Sequence, residues 1–147
     1  MVVRIRRQED VMTTELTYLF LTSLFLTLAW IPHIVGQVMV QGLLTPNDYT
    51  NLREQSDFPA WVRRANRAHV NLVEQFAAFA ALVLIAHVLE ISTSTTAMAA
   101  AVYFWSRVAH FVVFIAGVTV LMARTVIFSV SWVAILVLAA AVWSGTA

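Results

Sequence analysis

Asp, Glu, Lys and Arg are missing from five long runs of this chain, at 16–47, 75–89, 91–106, 108–123 and 125–147. A helix needs roughly 20 mostly apolar residues to cross the hydrocarbon core of a bilayer. Arg107 stands inside one continuous apolar stretch from 97 to 122, so the third and fourth runs join into a single helix with a charge at its middle. Four spans follow, at about 15–44, 61–90, 96–119 and 122–145. A soluble alternative fails on composition. Only 12% of the 147 residues are charged and 61% are hydrophobic, about half the charged fraction a soluble domain uses to coat its surface. The expected fold is an all-α integral membrane protein, one multi-pass domain over residues 1–147.

The connections set the topology. Between the first two spans lies "TPNDYTNLREQSDFP", where Pro46 and Asn47 end one helix and Asp57 with Pro59 opens the next. "STSTT" links the second and third spans and offers hydroxyls to cap the third. Gly117 and Thr119 mark the last turn. Links this short join antiparallel neighbours, so the spans form an up-down four-helix bundle. Alanines within 77–81 and 97–101 suit the close helix packing that small residues permit in lipid.

Bulk chemistry removes several function classes. No Cys is present, which excludes disulfides, thiolate metal sites and a cysteine nucleophile. Net charge is +1, and no basic tract of the kind that binds nucleic acid occurs. The four histidines show no metal-ligand spacing. The leading "VRIRRQEDVMTTE" has no small-x-small cleavage site and does not read as a cleaved signal. Counting Arg53, Arg63, Arg64 and Arg124 against Arg4, Arg6 and Arg7 barely orients the bundle. With Met12 as the start, the terminal side has no basic residue and the connections are expected to face the cytoplasm.

The second span opens with unusual polarity, "RANRAHVNLVEQF". At about 100° per residue, Arg64, Arg67, Asn71 and Glu74 share one stripe roughly 80° wide, while His69 and His87 fall on another face. Charges there cannot face lipid without costing several kcal/mol each. The stripe is expected to face inward, toward a partner helix, another subunit or a polar pocket. Two readings stand side by side. One is an interhelical network in which Arg107 neutralises Glu74. The other is a pocket in which guanidinium holds carboxylate, the amide meets a peptide backbone and Glu74 grips an ammonium group, a set suited to a small zwitterionic peptide.

"RAHVNLVEQF" resembles the second-helix signature of the MAPEG family, the membrane-associated proteins of eicosanoid and glutathione metabolism, with its Arg-Ala-x-x-Asn-x-x-Glu pattern. "AVYFWSRVAHFVVF" is similar to the family's third helix and "LMARTVIF" to its arginine-bearing entry to the fourth. The resemblance covers nearly the whole chain. It implies a homotrimer with glutathione bound between subunits as co-substrate. Arg67, Asn71 and Glu74 match glutathione contacts, His69 takes a position where a Gln contacts the peptide, and Arg107 matches a third-helix arginine that reaches the same ligand. Arg124 matches the arginine that stabilises the thiolate.

The departures narrow the activity. Gln75 follows Glu74 where eicosanoid-forming members carry Tyr, and His110 and Phe114 replace two tyrosines of the third helix. Near the end of the first span the polar residues are Gln37 and Gln41 rather than arginine. A bacterial-type member, in the cell membrane, fits better than an eicosanoid synthase. The implied function is a glutathione-dependent transferase or peroxidase acting on hydrophobic electrophiles from the bilayer. The alternative is a non-catalytic lipid-binding or scaffold protein of the same family. Tyr103, Arg107 and His110 share a face and read first as a structural hydrogen-bond cluster, and Pro32-His33 reads as a kink.

Overall fold

A computed structural model of the chain describes residues 12–51 and 54–146. Arg4, Arg6, Arg7 and Arg53, which enter the charge count across the membrane, lie outside the described residues. The helices are α1 (Thr14–Leu28), α2 (Ile31–Gln41), α3 (Ala60–Val88), α4 (Ser94–Ala116) and α5 (Ala123–Gly145). Short 3-10 turns at Pro46–Tyr49, Gln55–Asp57 and Val120–Met122 fill the connections, and no strand occurs among the described residues. Four stretches are long and apolar enough to cross a membrane: Thr14–Gln41, Ala60–Val88, Ser94–Ala116 and Ala123–Gly145. The chain is a multi-pass membrane protein with all-helical architecture.

The first span breaks where a kink is expected, at Pro32-His33. Pro32 has no N–H to give the Leu28 carbonyl and its ring crowds that same group, so the ladder breaks there. α1 ends at Leu28 and α2 resumes from Trp30, whose carbonyl accepts the Ile34 N–H at 3.2 Å. The third span stops at Ala116, short of the expected 119, because Gly117 takes a left-handed φ of 74° and ends the ladder.

The bundle is antiparallel along the chain. Arg64, early in α3, reaches Ile115 at the end of α4, and Ile91, just before α4, lies against Gly145 at the end of α5. Glu15 in the first turn of α1 meets Thr96 in the first turn of α4, which sets those two helices parallel. The core is built on α3 and α4. Phe79, Val83 and Ala86 pack with Ala99, Ala100 and Tyr103, and α5 adds Ala134, Leu138 and Val142. A second cluster joins Ala29, Ala68, Leu72 and Phe111.

The two alanine runs divide. Ala99 and Ala100 are buried in the core, while Ala77, Ala78 and Ala81 stay exposed on the chain.

α2 holds α3 through Gly36. A Cβ there would fall 2.5 Å from Val62 Cγ2 and 2.7 Å from Trp61 Cη2, and Val62 is itself buried. Gly36→Ala is therefore expected to destabilise the protein by about 1–3 kcal/mol, the range of overpacked sites. Thermal unfolding in detergent reads it. An unchanged midpoint would mean that α2 is free to shift.

Candidate functional site

α3 buries Val62, Ala65, Ala68, Leu72, Phe79, Val83 and Ala86. That face lies roughly 120° around the helix from the stripe of Arg64, Arg67, Asn71 and Glu74. Small alanines seat α3 by that face, so on the single chain the stripe runs along a flank and meets α4 through Arg64 and Asn71. Arg64 and Asn71 are half-buried, whereas Arg67 and Glu74 are exposed on the single chain. His69 lies on the far flank, where His33 is its electrostatic neighbour, and not with Arg107.

Arg64 has a local job. Its Nε donates to the Ile115 carbonyl at 2.9 Å, satisfying one of the last carbonyls of α4. A Cβ on Gly117 would stand 2.8 Å from the Arg64 Cζ, so the glycine also makes room for the guanidinium.

Arg107 is enclosed, at 1% exposure. Its Nη2 donates to Asn71 Oδ1 at 2.8 Å and its Nη1 lies 3.5 Å from Ser131 Oγ. The Phe128 ring centre is 5.8 Å from its Cζ. Its direct bond is to neutral Asn71, while Glu74 acts on it through charge alone, without a hydrogen bond. The hydrogen-bond cluster of Tyr103, Arg107 and His110 does not form either. Tyr103 Oη, Arg107 Nε and His110 Nδ1 are buried without partners. Tyr103 stacks on Phe79 at 4.0 Å instead, and the His110 ring sits between Phe114 and Phe128 at 5.5 and 5.9 Å.

Arg124, in the first turn of α5, places its Cζ 4.9 Å from the centre of the Phe114 ring. It lies at the membrane side where α3 begins and α4 ends, and His110 is within its electrostatic reach. Arg107, Asn71, His110 and Arg124 thus belong to one region joined by Phe114 and Phe128, with Arg67 and Glu74 on the flank outside it. No group of three or more acidic or histidine side chains able to hold a metal converges among the described residues.

Two features escaped the sequence. Ser131 lies two turns after Arg124 on the same face of α5, a periodicity that marked it. A groove of about 950 Å³ runs along α4 and α5, lined by Ser94, Met98 and Val102 on one side and Thr125, Ser129 and Val133 on the other. Its lining carries no charged group, and its α5 residues face roughly away from Arg124 and Ser131.

A model of the MAPEG family matches residues 17–143, most of the chain. No curated protein and no solved structure matches it.

Proposed function

Because the chain belongs to the MAPEG family, whose membership supports a glutathione-related membrane function in general, we propose that it is a glutathione-dependent transferase or peroxidase acting on hydrophobic electrophiles. One observation carries the reading: a membrane-spanning helix exposes Arg67 and Glu74 on either side of a half-buried Asn71. A charge at the middle of a bilayer costs about 2.5–3.5 kcal/mol even by lenient scales, so this flank must be covered by something polar. Cation, amide and anion in that order complement the carboxylates, peptide bonds and ammonium group of glutathione.

A second copy of the chain closes the site. Ala77, Ala78 and Ala81 continue the line of Arg67 and Glu74 along α3, and small residues let helices approach closely in lipid. That supports a homotrimer packed through α3, with the ligand held at the polar end of the contact.

Glutathione supplies the sulfur nucleophile. Arg124 holds negative charge on that sulfur, while Arg67, Asn71 and Glu74 fix the peptide in one pose, which is the larger part of what a protein contributes to such a displacement. The electrophile reaches the sulfur from the bilayer. The groove along α4 and α5 favours a second reading, a non-catalytic lipid-binding or scaffold protein, since nothing charged lines it.

Calorimetric titration of glutathione into the protein in detergent tests the site. Losing one partner of a buried charged contact costs about 2–5 kcal/mol, so Arg67→Ala is expected to weaken binding by well over tenfold while cross-linked assembly persists. Lost assembly with unchanged affinity in the assembled remainder would assign the flank to subunit packing instead.

A further inference from the structure

Asn71 is oriented from behind. A guanidinium has donors and no acceptor, so the Asn71 oxygen must face Arg107 Nη2, 2.8 Å away, and the amide NH2 must turn aside from it. Arg107 is gripped in turn by α5 and α3. The buried Ser131 hydroxyl has one proton, and the Phe128 carbonyl accepts it at 2.7 Å. The Gln75 Oε1, 3.3 Å away, is a second acceptor for that proton, and the hydroxyl lone pairs are left for Arg107 Nη1 at 3.5 Å.

We propose that Arg107 is a positioning residue and not a ligand contact: Ser131, held by Phe128 and Gln75, steadies its guanidinium, and Arg107 fixes the Asn71 amide so that its NH2 serves the Arg67–Glu74 flank as a donor. Its enclosure at 1% exposure fits this role, since a ligand would have to displace Asn71 to reach it. The proposal rests on that flank being the glutathione site. It explains why a buried cation is bonded to an amide when a carboxylate stands one turn further along α3.

Glutathione affinity and turnover are measured for wild type, Ser131→Ala, Ser131→Thr, Asn71→Ala and the Ser131→Ala/Asn71→Ala double variant. Because the Arg107–Ser131 contact is long, at 3.5 Å, its loss should weaken glutathione binding only roughly threefold to tenfold in Ser131→Ala, with kcat kept. Ser131→Thr, which retains the hydroxyl, should restore affinity. On the Asn71→Ala background the Ser131→Ala penalty should vanish, because the clamp then has nothing to position. Additive penalties would overturn the proposal. A readout without ligand separates it from the glutathione reading: the side-chain amide signals of the four asparagines in nitrogen-15-labelled protein. Ser131→Ala should shift the Asn71 pair and leave those of Asn47 and Asn51 in place. That shift in a protein that does not bind glutathione would support the clamp and sink the glutathione reading. An unmoved Asn71 signal would overturn the clamp whatever the ligand.

Discussion

Replacing Arg124 by alanine is expected to remove the thiolate signal of bound glutathione at pH 7. A thiol with a reference pKa near 8.5 is only roughly 3% ionised at that pH. A guanidinium beside the sulfur in a partly dehydrated site lowers the pKa, and a fall of about two units makes thiolate the majority form. Arg124 is suited to this by position. It lies in the first turn of α5, whose N-terminus no side chain caps, so the positive end of the helix dipole adds to the field that favours an anion. Phe114 supports the guanidinium by its ring face at 4.9 Å without neutralising it.

Ultraviolet absorbance of the thiolate on titrating glutathione reads this directly. Arg124→Ala should fall from majority thiolate to a few per cent, and the nucleophilic rate should fall with it. Equal signals in the two proteins would acquit Arg124. Binding without a thiolate signal in wild type would move the protein to the lipid-binding or scaffold class.

The spans were legible because each is a long run without charge, and the turns because Gly117 and Pro32 impose their own backbone geometry. Which way a helix faces was not. Periodicity ties Arg64, Arg67, Asn71 and Glu74 to one another on α3, but it says nothing of how α3 is rotated against α4. Ala65, Ala68 and Ala86 decide that by letting the backbones approach, and they put the stripe on a flank. Glu74 looked like the natural partner of Arg107, since opposite charges attract at any distance. A hydrogen bond needs a particular approach, and the rotation of α3 brings Asn71 there first. The pairing of Gln75 with Ser131 spans 56 residues and depends on two such rotations.

Glu15 is the last charge before the first apolar run, and the largest stability effect is expected there. It is 2% exposed. Ser92 Oγ donates to its carboxylate from 3.1 Å, and the buried Thr96 hydroxyl donates to it as well. Thr96 also accepts the Thr93 N–H at 2.8 Å, which closes the cap of α4. One carboxylate therefore lies in the first turn of its own helix and against the first turn of another, where both helix dipoles favour negative charge. It is the tie between α1 and the α3–α4 turn. Hydrogen bonds to a charged group contribute about 1.5–3 kcal/mol each, and without the carboxylate the Thr96 hydroxyl keeps only the Thr93 carbonyl, at 2.9 Å, as acceptor. Glu15→Ala is accordingly expected to cost on the order of 3–5 kcal/mol. Glu15→Gln, which keeps the shape and one acceptor, should lose less than half of that. Unfolding midpoints in detergent for the two variants measure the difference. If Glu15→Ala unfolds with the wild-type midpoint, α1 is held by its apolar contacts alone and the carboxylate tie contributes nothing to the bundle.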